Sequence, residues 1–115
     1  MTEKKKDKKE RSEHKRDREL SDIRSVAKTA EGRRFIWRVL SNAGIFRING
    51  IDDAIGMARF EGRRECGIEV LNDVMSAKAS LFGQMQEEYA SERKREDIVE
   101  DKEKTERDPL SLTDG

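Results

Sequence analysis

Apolar residues recur at intervals of three and four in four segments of the chain, and this spacing predicts amphipathic helices. Polar and charged residues occupy most positions between them, so each predicted helix has an apolar face that can pack against the others. The predicted helices run over about 19–28, over about 30–43, from Asp52 or Asp53 to about 77, and over about 79–94.

Local signals mark the boundaries of these helices. Thr29 precedes an acidic first turn and is a suitable N-cap for the second helix. Gly44 follows the last apolar position of that helix and predicts its end. Residues 44–52 then form a connector with a turn signal at Asn49-Gly50. Its large apolar residues predict that it packs back on the helices: Ile45, Phe46, Ile48 and Ile51.

The third predicted helix carries two stripes. The first is formed by positions spaced three and four apart, mostly apolar: Met57, Phe60, Arg64, Ile68, Leu71 and Met75. The second is formed by small residues four apart: Ala54, Ala58, Gly62 and Cys66. A glycine inside a helix costs about 1 kcal/mol relative to alanine. Gly62 and Gly67 therefore predict the close approach of another helix.

The composition shows that the whole chain cannot form one packed core. Only 33% of the residues are hydrophobic and 43% are charged, against about 45–50% and about 25% in ordinary domains. The net charge of zero divides into +4 over 1–18, −1 over 19–90 and −3 over 91–115. The outer segments have few apolar side chains to offset their ordering entropy. We expect a basic, mixed-charge disordered arm (1–18), a helical core domain (19–90) and an acidic, mostly disordered tail (91–115), with helix extending to about 95.

The predicted fold class is therefore all-α, a small bundle of three to four helices with disordered charged termini. The chain is long enough for one domain at most. A core of about 70 residues is only marginally stable alone, and oligomerisation is a common remedy at that size. This favours a homo-oligomer.

The residue types needed for catalysis or metal binding do not cluster. His14, the single histidine, lies in the charged arm, and Cys66, the single cysteine, has no base near it and is expected to be a small buried apolar residue. No Cys/His spacing suits a metal, and no glycine pattern suits a phosphate loop. No apolar run approaches the ~20 residues that span a bilayer. We expect a non-enzymatic protein of the cytoplasm with no cofactor and no membrane partner.

A four-residue motif occurs twice, as Glu31-Gly32-Arg33-Arg34 and as Glu61-Gly62-Arg63-Arg64. The structural interpretation is an intrahelical charge pair with a glycine for clearance. The functional interpretation is an arginine surface for phosphates or carboxylates, to which arginine makes bidentate contacts. The balanced charge of the core favours the structural or protein-contact interpretation over nucleic-acid binding.

Two blocks of the sequence resemble a known family. Residues 30–40, Ala-Glu-Gly-Arg-Arg-Phe-Ile-Trp-Arg-Val-Leu, followed by Gly44-Ile45-Phe46, look like the opening of a family of small tailed-bacteriophage proteins typified by a Bordetella podophage protein. Residues 60–71, followed by Leu81-Phe82 and Met85, are similar to its second block. The resemblance covers about 26–90 and implies a small helical component from the virion structure and assembly region of phage genomes. It implies no catalytic residue. The family also implies a proline before the last helix, where this chain has Lys78-Ala79-Ser80.

The leading functional hypothesis is a tailed-phage structural or assembly protein that binds virion or assembly proteins and copies of itself, in the host cytoplasm during assembly or in the virion. Trp37, off the main stripe of its helix, and the small-residue stripe are the candidate contact faces. The full set of candidate interaction residues is Arg33, Arg34, Trp37, Ala58, Gly62, Arg63, Arg64 and Cys66.

Two other functions stay open. A nucleic-acid-associated packaging or ejection accessory would use the basic arm and the arginine pairs, but the arm also holds five acidic residues and aromatic residues make up only 5% of the chain. An inhibitor or regulator of a host protein is the third hypothesis, and no residue pattern supports it specifically.

Overall fold

The computed structural model describes residues 2–107 of the chain. These residues contain four helices, joined by connectors, and no strand. The all-α prediction is therefore confirmed. The helices are α1 (Thr2–Val26), α2 (Ala30–Asn42), α3 (Ala54–Ala77) and α4 (Leu81–Arg107). The chain divides into two compact units, Met1–Phe82 and Gly83–Gly115.

The two charged segments differ from the sequence prediction. Residues 2–18, expected to be a disordered arm, are the first part of α1, and α4 continues to Arg107 instead of ending near 95. Lys, Arg and Glu have high helix propensity, and opposite charges three or four apart stabilise a helix further. Both segments are solvent-exposed over most of their length. The predicted disorder of 108–115, including Pro109, lies outside the described residues.

Side-chain caps place the start of α2 and α3 where the sequence predicts them. The Thr29 hydroxyl accepts a hydrogen bond from the Gly32 amide at 3.0 Å, and the Asp53 carboxylate accepts one from the Gly56 amide at 2.6 Å. Both caps satisfy a backbone donor that has no partner within its helix. Gly44 has a φ of 77°, a conformation that favours glycine, and it directly follows the last turn of α2.

The core of the first unit forms where α1 and α2 pack against α3. Leu40, Val74 and Leu81 are almost completely buried. The other buried side chains of this unit are Ile36 and three alanines, Ala27, Ala43 and Ala77. Alanines at these positions allow short distances between the helices, so that a small number of large apolar side chains is enough to fill the interior.

The close helix approach that the glycines predict occurs at Gly67 and not at Gly62. A Cβ added at Gly67 would lie 2.5 Å from the Ala43 Cβ and 2.7 Å from the Ile45 Cγ2. A Cβ added at Gly62 would meet nothing within 4 Å. Within one copy the prediction is wrong for Gly62, because that position is exposed on α3, whereas Gly67 lies against the end of α2.

Arginines of α1 connect that helix to α3. Arg16 forms an ion pair with Asp73 at 2.7 Å, and Arg24 donates a hydrogen bond to the backbone carbonyl of Ala77 at 2.9 Å. The hydrogen bond to Asp73 raises the pKa of Arg16 above its ordinary value. Both contacts fall on the second half of α1, so α3 holds that half while residues 2–15 extend into solvent.

Candidate interaction surface

The two copies of the Glu-Gly-Arg-Arg motif share one contact and differ in another. Arg34 lies 3.8 Å from Glu31, and Arg64 lies 3.8 Å from Glu61, so each copy contains the same ion pair between positions three apart. This is the structural interpretation of the motif. Exposed pairs of this type contribute little stability.

The other arginine of each copy has a different environment. Arg33 donates to the backbone carbonyls of Ala27 at 3.0 Å and Lys28 at 3.2 Å, which holds the turn between α1 and α2. Arg63 is exposed and lies near Asn42 at the end of α2. Positions 33 and 42 are roughly 13 Å apart along the helix. Arg33 and Arg63 therefore lie near opposite ends of α2.

Trp37 belongs to an aromatic cluster of the first unit. Its ring centroid lies 5.0 Å from that of Phe46 in a stacked arrangement and 5.8 Å from that of Phe82. Phe46 and Phe82 are 6.3 Å apart. Phe46 comes from the connector, so this part of the connector packs back as predicted, whereas Ile48 is 95% exposed. Trp37 thus contributes to the fold itself, although Phe46 is still 50% exposed.

The stripe of small residues faces away from the bundle. Ala58, Gly62 and Cys66 are all exposed, which corrects the expectation that Cys66 is buried. The stripe is not a contact between helices of one copy. Its role as a contact face for another molecule stays a prediction.

A shallow groove lies between the end of α2 and the middle of α3, beside Cys66. Its volume is about 480 Å³, and Gly67 is part of its lining. The remaining lining residues are mainly apolar: Val39, Asn42, Ala43, Arg63, Cys66 and Val70.

The first stripe of α3 is only partly buried. Its members Phe60, Arg64 and Leu71 are intermediate in exposure. Its other three members are exposed by 43%, 37% and 49%, and we call them the apolar flank: Met57, Ile68 and Met75. Sequence periodicity predicted this stripe as an apolar face of the helix, but the buried residues of α3 are Gly67, Val74 and Ala77, on the neighbouring face. The shift leaves an apolar edge on α3 partly open to solvent.

No group of three or more His, Cys, Asp or Glu side chains is arranged to hold a metal ion among residues 2–107. None of the described helices combines the length and apolar character needed to cross a membrane.

A family model described as Bbp19-like phage protein matches residues 23–87, more than half of the chain. The chain belongs to this phage protein family. The match confirms the resemblance predicted for about 26–90. No curated protein and no solved structure matches the chain significantly.

The Bbp19-like region contains all of α2 and α3, the aromatic cluster, the groove and the apolar flank. It begins in the last turns of α1 and ends early in α4. The charged parts of both outer helices lie outside the matched range. The aromatic cluster, the groove and the apolar flank are therefore within the family region, whereas the exposed charged parts of α1 and α4 lie outside it.

Proposed function

We propose that this phage protein is a non-enzymatic structural or assembly component of a tailed phage, which acts by binding other phage proteins and further copies of itself. The observation that carries the proposal is the apolar flank of α3. Three large apolar side chains on one helix face keep much of their surface in water, at positions where a neighbouring protein can cover them.

The free energy gained by burying the apolar flank indicates what kind of binding to expect. Complete burial of one such side chain contributes about 1.5–3 kcal/mol, so covering the three half-exposed side chains would contribute roughly 3 kcal/mol. A micromolar complex requires about 8 kcal/mol. The flank therefore supports a contact repeated among several copies, or one part of a larger interface, and not a tight isolated pair.

The size of the family region supports the same proposal. A bundle within residues 23–87 has a small core, and proteins of that size are often stabilised by association. On this proposal the protein assembles in the host cytoplasm, and its binding surfaces are formed by helix side chains, without a cofactor.

The decisive experiment is quantitative mass spectrometry of purified virions and of assembly intermediates from infected cells. We expect the protein in one or both fractions, in multiple copies per particle. A protein that is abundant in the cell but absent from both fractions would contradict the proposal. The copy number would also distinguish a capsid-wide role from a role at the portal vertex.

The role of the apolar flank is tested separately. Ile68→Ser and Met75→Ser, combined in one variant, should lower the average mass measured by sedimentation while the circular dichroism spectrum stays unchanged. Ile55→Ser is the matched control because Ile55 is exposed on a different face of α3. An equal decrease in mass for both variants would contradict the role given to the flank.

A further inference from the structure

The charges of α1 are sorted by face. Five basic residues follow one another at intervals of four and three, which places them on one side of the helix. We call this set the basic stripe: Lys4, Lys8, Arg11, Lys15 and Arg18. All five side chains are exposed. Arg16, which forms the ion pair with Asp73, lies off the stripe, so the stripe turns away from that contact with α3.

Acidic residues are sorted in a similar way on the second half of α4. Glutamates at intervals of four and three form the acidic stripe: Glu92, Glu96, Glu100 and Glu103. All four are exposed, and with Arg95 and Val99 they line one shallow depression. The stripes have comparable lengths, because 4–18 spans about 21 Å of helix and 92–103 spans about 16 Å.

Each stripe carries an electrostatic cost when it is alone. Like charges three or four positions apart repel one another and destabilise the helix that holds them. A helix with the opposite stripe reduces this repulsion for both partners. The chain has a net charge of zero, with 25 basic and 25 acidic residues, so the complement of each stripe is present in the same sequence. The acidic stripe and the zero net charge disfavour DNA as the partner of the basic stripe.

We propose that the basic stripe on α1 of one copy binds the acidic stripe on α4 of a second copy. This inference rests on the self-association in the proposed function and names the surfaces that direct it. The two surfaces are different, so the contact is heterologous and leaves one stripe free on each outer copy. Copies therefore join head to tail into rings or open chains. The ion pairs select the partner and its orientation, while apolar surfaces add affinity.

The test uses the full chain, with average mass measured by sedimentation at several protein concentrations. Because exposed ion pairs are screened by salt, we expect association to weaken between about 50 mM and about 500 mM NaCl. The triple variant Lys8→Glu, Arg11→Glu and Lys15→Glu should weaken association by about tenfold or more at low salt. The control variant Lys5→Glu, Lys6→Glu and Lys9→Glu carries the same charge change off the stripe and should weaken it much less.

Charge reversal on both stripes tests whether the two stripes bind each other. The acidic-stripe variant Glu92→Lys, Glu96→Lys and Glu103→Lys should also fail to associate alone. An equal mixture of the two stripe variants should associate again, since each variant then supplies the stripe that the other lacks. Circular dichroism of each variant confirms that the helices are retained.

Several results would overturn the proposal. These are association that is insensitive to salt and to both stripe variants, equal losses in the control variant, failure of the mixture to associate, or pairing that is independent of protein concentration. Preferential binding of a short DNA duplex through the basic stripe would assign the surface to nucleic acid instead. The proposed function fails independently, by absence of the protein from virions and assembly intermediates.

Discussion

Arg24 and Ala77 are 53 positions apart in the sequence, yet the guanidinium of Arg24 donates a hydrogen bond to the Ala77 carbonyl at 2.9 Å. Ala77 is the last residue of α3, where backbone carbonyls have no partner within the helix. A cation at this end also interacts favourably with the helix dipole. One side chain of α1 thus serves as a C-terminal cap for α3 and connects the two helices.

Arg24→Ala should lower the free energy of unfolding by about 1–2 kcal/mol, because it removes a charged hydrogen bond and leaves a helix-end carbonyl without its partner. Urea denaturation followed by circular dichroism measures the change. Lys5→Ala is the control, since Lys5 is exposed on the same helix and lies off the basic stripe. Equal losses in both variants would contradict the capping role of Arg24.

Gly67→Ala and Gly62→Ala should have opposite effects on stability. A methyl group at position 67 meets Ala43 and Ile45, and we expect a loss of about 1–3 kcal/mol from overpacking. A methyl group at position 62 meets nothing within 4 Å, so the higher helix propensity of alanine should add about 0.5–1 kcal/mol. Thermal melting of both variants under identical conditions provides the comparison. A stabilising Gly67→Ala substitution would show that α2 does not approach α3 at this position.

Phe46→Ala should destabilise the first unit by about 1–3 kcal/mol, because it removes a ring that stacks on Trp37. It should also shift the fluorescence emission of Trp37 to longer wavelength as water reaches the indole. Ile48→Ala, in the same connector but at a position that is 95% exposed, should change neither quantity appreciably. An unchanged emission spectrum in the Phe46 variant would contradict the aromatic cluster.

Deletion of residues 96–115 should leave the melting temperature of the remaining protein nearly unchanged. Residues 96–107 are exposed at every position, so their removal uncovers no core side chain. The helix signal should decrease only by the contribution of the deleted part of α4. A larger decrease in helix content would indicate that the last turns of α4 support the rest of the structure. Thermal melts and circular dichroism of the truncated and full chains distinguish these results.

The positions where sequence reasoning failed have a common cause. Periodicity showed correctly that α3 has an apolar stripe, and that stripe included Met57, Ile68 and Met75. Those side chains lie beside the buried face and not on it. Several apolar and small residues on α3 allow more than one buried face, and only the packing of α1 and α2 selects one. The same packing gives Arg33 a structural contact and leaves Arg63 exposed, although their local sequences are identical.

The charged segments show a different limit of prediction from sequence. A segment with few apolar residues has little to bury, and among the described residues this argument predicted disorder for 2–18 and for about 96–107. Both segments are nevertheless helical, because hydrogen bonds within a helix and charge pairs between neighbouring turns do not require a core. The spacing of their charges was present in the sequence. This spacing places the charges on one face, as a stripe, only if the segment is helical, and the structure shows helix along both segments.

The sequence by itself determined the helical class, the cap at Thr29, the start of α3 at Asp52 or Asp53, the end of α2 at Gly44 and the family to which the chain belongs. These features depend on residues within a few positions of one another, so the local sequence contains all the necessary information. Tertiary structure decided which face of α3 is buried, that Gly67 and not Gly62 allows the close approach, and that Arg24 caps α3. Each of these depends on contacts between residues more than 20 positions apart, and such contacts follow from the packing of whole helices.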